Sequence, residues 1–186
     1  MIAEDNAAQA ARRVKMVVFD VDGTLTDGHI YMGSDGEAMK SFSARDGMGI
    51  ALMHKAGLKS AIITGRQSKI VENRANELKI SAIWQGCSDK RQAYIELKEK
   101  FSLTDAEVAY VGDDLNDLPL LLQAGLSCAV GDAMEEVKQH AAIIADHNGG
   151  NGAVRDIIEY ILKQQGKWDS LVESFVAKPR VDELTQ

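Results

Sequence analysis

The sequence is poor in several features that mark whole classes of protein. It has two cysteines, Cys87 and Cys128, far apart and at no metal-ligand spacing, so both read as small buried hydrophobes in a reducing compartment. Its four histidines, at positions 29, 54, 140 and 147, include no pair at ligand spacing and read as surface or satisfied residues. No apolar run approaches the roughly 20 residues that span a bilayer, and Met1–Arg13 has no signal-peptide core. Positive charge is in the minority: Lys+Arg 21 against Asp+Glu 28 leaves a net charge of −7, which disfavours broad binding to a phosphate backbone. Internal repeats, low-complexity tracts and interdomain linkers are missing too. A cytoplasmic protein with neither nucleic-acid nor membrane partners is expected.

What is present is ordinary globular material, 45% hydrophobic and 26% charged over 186 residues. A chain of this length makes one domain and buries roughly 70% of its extended surface. We expect a single domain over 1–186, with its core at about 15–165 and a tail at 166–186. Short apolar runs at Met16–Phe19, Ser60–Ile63, Val108–Val111 and Leu126–Val130 read as buried strands, with weaker candidates at Ala82–Trp84 and Ile143–Ala145. Helical patterns lie between them: Gly47–Ala56 capped by Asp46, then Lys69–Leu78, Lys90–Phe101, Leu115–Ala124, Glu135–His140 and Ala153–Gln164. Alternation of this kind predicts an α/β fold with a doubly wound parallel sheet, whose ligands bind beyond the carboxyl ends of the strands.

Ile30–Lys40 breaks the alternation. Two short runs flank Gly33-Ser34-Asp35-Gly36, a turn signal for a β-hairpin that would stand above the sheet. A lone hairpin is unstable in water, so it must pack on something, a second subunit included. The tail from Gly166, with Trp168 and Lys178-Pro179-Arg180, is too polar to add core and is expected to be mobile or docked on a neighbour.

Four segments put polar chemistry directly after strands or at helix starts. Asp20-Val21-Asp22-Gly23-Thr24 leaves a buried strand with two carboxylates, which cannot both be desolvated as anions without a cation beside them. Mg²⁺ suits them, because it takes oxygen ligands and keeps waters that a phosphate can replace. Thr64-Gly65-Arg66 offers a hydroxyl and backbone N–H groups for a phosphoryl oxygen. Lys90 opens a helix and supplies a fixed positive charge, and Gly112-Asp113-Asp114-Leu115-Asn116-Asp117 adds carboxylates for the metal. Each segment alone also reads as a turn, a cap or a solvated residue. Their order and placement together are what point to a site. Gly149-Gly150-Asn151-Gly152 lacks the Lys-Ser/Thr ending of a P-loop and reads as a flexible turn or a subunit contact.

The four elements Asp20-x-Asp22-Gly23-Thr24, Thr64, Lys90 and Gly112-Asp113-Asp114 resemble, in order, the motifs of the haloacid dehalogenase-like phosphatase superfamily. Within it, Phe19–Gly28, Asp35-Gly36-Glu37, Ser43-Ala44-Arg45-Asp46-Gly47, Thr64-Gly65-Arg66 and Gly149–Arg155 resemble the 3-deoxy-D-manno-octulosonate 8-phosphate phosphatases, over roughly Lys15–Leu162. The resemblance implies a Mg²⁺-dependent phosphomonoesterase that supplies sugar acid for lipopolysaccharide. Asp20 would be the nucleophile and Asp22 the acid and base, with Thr64 and Lys90 holding phosphoryl oxygens. The metal would be held by Asp20, the Asp22 carbonyl and Asp113. Asp114 and Asp117 would orient Lys90 or metal-bound waters, with Asp117 as a ligand the other option.

Neither span, Asp20 to Thr64 nor Thr64 to Asp113, has room for a separate cap domain of ~50 residues. A neighbouring subunit is expected to roof the open site, and the resemblance implies a homotetramer. It also places Asp22, Ser43, Ala44, Arg45, Asp46, Gly47, Ala51, Arg66, Arg74 and Lys90 at a sugar acid phosphate. Arg66 and Arg74 would lie about 12 Å apart along a helix. The competing expectation for Arg74 is a surface ion pair with Glu77. The alternatives for the whole chain are a phosphatase for a nine-carbon sugar acid 9-phosphate and a catalytically inactive regulatory domain that binds phosphate or metal.

Overall fold

Residues 2–177 are described by the computed structural model. The chain opens with helix α1 (Ile2–Arg13), which the sequence pattern did not lead us to expect. Among its described side chains Ala7, Ala10 and Ala11 are buried, and Val14 just beyond it is buried too; small residues at helical spacing carry little hydrophobic signal. Strand β1 (Met16–Phe19) follows, with all four side chains fully buried, as a strand covered on both faces requires. The expected hairpin is present as β2 (Tyr31–Gly33) and β3 (Gly36–Met39), a separate two-stranded ribbon.

Helix α2 (Ala44–Lys55) starts earlier than expected. Its cap is Ser43, whose hydroxyl accepts from the Arg45 and Asp46 amides, and Asp46 lies inside the first turn. Then come β4 (Lys59–Ile63), α3 (Lys69–Glu77), β5 (Ala82–Trp84), α4 (Lys90–Phe101) and β6 (Val108–Gly112). The helix expected over Leu115–Ala124 is shorter: a 3-10 turn at Leu115–Asp117 leads into α5 (Leu118–Leu121), with Pro119 in its first turn. The chain continues through β7 (Leu126–Ala129), α6 (Glu135–His140), β8 (Ile143–Ile144) and α7 (Ala153–Gln164). Helix α7 buries Val154, Ile157, Ile158, Ile161 and Leu162, at about 1.5–3 kcal/mol for each large side chain.

The tail corrects a further expectation. Trp168–Val176 forms α8, and its Leu171 is buried against the core. Lys178-Pro179-Arg180 lies outside the described residues.

The sheet has six strands in the order β5-β4-β1-β6-β7-β8, and every pairing is parallel. Helices α1, α2, α7 and α8 pack in one group, and α4, α5 and α6 in another. From β1 the chain winds outward to β4 and β5, then returns to β6 and winds the other way. The reversal falls beside β1, where a doubly wound sheet opens a crevice at its carboxyl edge. Among the described residues no cap domain is inserted.

Candidate active site

Register brings the site together. Phe19, the last residue of β1, pairs with Ile62 on β4 and Val111 on β6, so Asp20, Thr64 and Asp113 leave the sheet side by side. The Asp20 loop then turns sharply, the Val21 carbonyl accepting from the amides of Thr24, Leu25 and Thr26. Gly23 has φ +95°, in the region that favours glycine, and packs against the Asp113 carboxylate. These segments line a cleft of about 290 Å³ that includes Asp20, Asp22, Thr64, Arg66, Asp113 and Asn116.

At the base of the cleft Lys90, buried at the start of α4, reaches Asp20 Oδ1 at 2.9 Å and Asp117 Oδ1 at 2.6 Å. Tyr110 donates its hydroxyl to the same Asp117 oxygen at 2.6 Å. The other Asp117 oxygen accepts from the Asp113 and Asp114 amides at 2.9 and 3.3 Å. Asp117 is therefore fully committed to orienting Lys90 and the 113–114 turn. Asp114 caps the following turn, taking the Leu115 amide at 2.7 Å. Thr24 donates to Asp113 Oδ1 at 2.9 Å.

The electrostatics call for a cation. Oxygens of Asp20, Asp113 and Asp117 lie within 4.8 Å of one another, with Lys90 the single buried positive charge among them. Burial, with Asp20 and Asp117 nearby, pushes the Asp113 carboxyl up to about 8, against the Thr24 hydrogen bond. Burial likewise raises Asp20 to about 6, with Lys90 opposing and Asp117 adding to the rise. Lys90 is held above its ordinary value despite burial, by Asp20 and Asp117. Asp20 Oδ1 is buried without a well-aligned hydrogen-bond donor; Lys90, 2.9 Å away, is shared with Asp117. Carboxylates whose pKa values are raised by burial and by neighbouring carboxylates, one of them with a poorly satisfied oxygen, fit a hard divalent cation.

Asp22 faces the cleft from the other side, between two cations. Lys40, at the end of β3, pairs with its Oδ1, and Arg66 Nε lies 3.8 Å from its Oδ2. Sequence reasoning missed Lys40 and Tyr110. A lysine after a hairpin and a tyrosine within a strand follow no pattern that singles them out.

The remaining expected residues do not all meet at the cleft. Arg66 lines it. Ala44 and Arg74 line a neighbouring groove with Lys40 and Phe42. Arg74 makes the ion pair with Glu77, at 2.8 Å, and packs on the Phe42 ring and Gly47. Arg45 opens on a different hollow beside His147 and Arg155, and Ala51 is exposed on α2. Asp46 turns away from the cleft. Its buried carboxylate accepts from the Gly152 and Arg155 amides at 3.3 and 2.8 Å and so caps α7. The Gly149–Gly152 segment is a turn that packs on the Asp20 loop: Gly150 donates to the Thr24 carbonyl at 3.1 Å, and a Cβ on Gly149 would strike the Gly23 carbonyl.

This fold, with carboxylates, a hydroxyl and a lysine at the ends of adjacent strands, defines a haloacid dehalogenase-like hydrolase. The family model for haloacid dehalogenase-like hydrolases matches residues 80–158. The 3-deoxy-D-manno-octulosonate 8-phosphate phosphatase of Yersinia pestis is 44% identical over 163 residues, 88% of this chain and 87% of that one. Its counterpart in Escherichia coli K12 is 44% identical over 159 residues, 86% of this chain and 85% of that one. The Moraxella catarrhalis enzyme of the same name, solved with magnesium, phosphate and KDO, superposes with a TM-score of 0.88 at 40% identity, covering 91% of this chain and 97% of that one. The chain belongs to the 3-deoxy-D-manno-octulosonate 8-phosphate phosphatase family.

Proposed function

We propose that this protein is a Mg²⁺-dependent phosphomonoesterase that releases phosphate from 3-deoxy-D-manno-octulosonate 8-phosphate. The observation that carries the reading is the cluster of buried Asp20 and Lys90 with half-buried Asp113 at the β1/β6 switch point, in a chain 44% identical to phosphatases of that name. Asp20 Oδ attacks phosphorus, and the ester P–O bond breaks to give an aspartyl-phosphate. Asp22 gives its proton to the departing alkoxide. Water then attacks the phosphorus, its proton passes to Asp22, and the bond to Asp20 breaks to return the carboxylate. Lys90 and Thr64 hold phosphoryl oxygens throughout, and the backbone N–H groups of the Thr64-Gly65-Arg66 turn donate to the phosphate. Asp20, Asp113 and the Asp22 carbonyl are the residues to hold Mg²⁺, which neutralises charge on the phosphoryl oxygens.

Specificity and assembly belong to the same reading. Arg66, with Arg45, Arg74 and the Ser43–Gly47 backbone of this chain or a neighbour, receives the sugar acid. The hairpin carries exposed Met32 and Met39, 63% and 52% accessible, which homotetramer formation covers while roofing the cleft. The enzyme works in the cytoplasm, where the sugar acid for lipopolysaccharide is made.

The test is phosphate release from the eight-carbon and nine-carbon sugar acid phosphates, with Mg²⁺ and with EDTA, using Asp20→Asn as the blank. Metal-dependent turnover favouring the eight-carbon ester is expected. Preference for the nine-carbon ester would overturn the substrate, and silence on both would overturn the enzyme.

A further inference from the structure

We propose that Lys40 is a positioning residue for Asp22: it pins one oxygen of that carboxylate so that the other serves the leaving group. This rests on the reading of Asp22 as proton donor to the alkoxide. The Lys40 side chain is 1% exposed, although the residue stands at the end of a surface hairpin. A buried ammonium is tolerated only when paired, and Lys40 has two carboxylates, Asp22 Oδ1 and Glu37 Oε1, the latter at 2.9 Å.

Glu37 is itself held. Its second oxygen accepts from the Ser68 hydroxyl, which also caps α3 by accepting the Val71 amide at 3.3 Å. A chain of contacts thus runs from the first turn of α3 through Ser68, Glu37 and Lys40 to Asp22. It ties the hairpin to the loop that carries Thr64 and Arg66. Arg66 stands 3.8 Å from the other Asp22 oxygen, but it is 52% exposed and free to give way to substrate. Lys40 has no such freedom. With Oδ1 pinned, rotation of the Asp22 carboxylate is blocked and Oδ2 stays turned to the cleft, the arrangement proton transfer to a departing oxygen requires.

The test separates leaving groups. A sugar alkoxide needs a proton to depart, whereas 4-nitrophenolate does not. The ratio kcat/KM covers only the steps up to that departure, so attack by water does not enter. Lys40→Met should lower kcat/KM by ~100-fold for alkyl esters, the sugar acid phosphate and ethyl phosphate alike, while the aryl ester 4-nitrophenyl phosphate changes less than ~3-fold. Lys40→Arg should recover part of the loss. Glu37→Gln, which leaves the ammonium in place but loosens its seat, should show the same selectivity at smaller amplitude, and it carries the test if Lys40→Met does not fold. Equal losses on alkyl and aryl esters in a folded variant, a loss confined to the sugar acid phosphate, or no loss on any would overturn the inference. Wild-type turnover with an unchanged ratio in the variants refutes this inference alone, whereas a silent wild type refutes the proposed function as well.

Discussion

Replacing Gly23 by alanine should damage stability and metal binding together. The residue has φ +95°, so any side chain strains the backbone by about 1–3 kcal/mol. For a chain of this size each kcal/mol moves Tm by ~2–4 °C, which gives a fall of ~2–12 °C. The added Cβ would also sit 2.1 Å from Asp113 Oδ2 and 2.6 Å from its Cγ. Such a contact must open by about 1 Å, and the Asp113 side chain is the part able to retreat; a shift of that size at a reacting centre costs ~10²-fold in rate. Thermal unfolding in EDTA would read the first effect. Titration of Mg²⁺ against phosphate release would read the second, as a weaker apparent Kd and a lower kcat/KM. Wild-type Tm and kinetics would refute the argument entirely. A lower Tm with unchanged Mg²⁺ dependence would refute the placement of Asp113 at the metal.

Asp20→Asn should abolish turnover while Mg²⁺ still binds weakly through Asp113, as calorimetry would show; near-wild-type turnover would exclude Asp20 as nucleophile. Asp46→Ala leaves the Gly152 and Arg155 amides without their acceptor, and each bond to a carboxylate is worth about 1.5–3 kcal/mol. Burial raises the Asp46 pKa, so its ionised form costs the fold something and offsets part of that loss. A net fall of about 2 kcal/mol, or ~4–8 °C in Tm, is expected, with Asp46→Asn losing about half as much; an unchanged Tm for the alanine variant would dismiss the cap. Glu107 is drawn down to about 2, chiefly by Lys15 and then by the Thr104 amide and hydroxyl. Its contribution to stability is therefore present above the ordinary carboxylate range and lost as pH falls toward 2. Glu107→Gln should lower Tm at pH 7 and lower it much less near pH 2, and an equal shift at both would contradict the assignment.

The legible part of this protein lies at strand ends. A parallel strand buried on both faces must be a continuous apolar run, so the residue where polarity begins is visible by contrast, as at Phe19-Asp20, Ile63-Thr64 and Gly112-Asp113. Alternation of such runs with helical spacing was enough for the doubly wound sheet, and the Asp-Gly turn was enough for the hairpin. Helices α1 and α8 escaped because one presents alanines and the other buries a single leucine, Leu171. Asp46 was misjudged because a carboxylate at a helix start reads as that helix's own cap, whereas here it caps α7, distant in sequence.

By itself, then, the sequence determined which side chains stand at the carboxyl edge of the sheet, because strand burial and chain order dictate that edge. Only the tertiary structure decided which of them touch. Asp117 takes Lys90 and Tyr110, Asp113 takes Thr24, and Asp22 takes Lys40 from the hairpin. These pairings join residues on separate elements, and distance along the chain carries no record of them. They are set by the strand order around β1 and by the drive of each buried charge to find its partner.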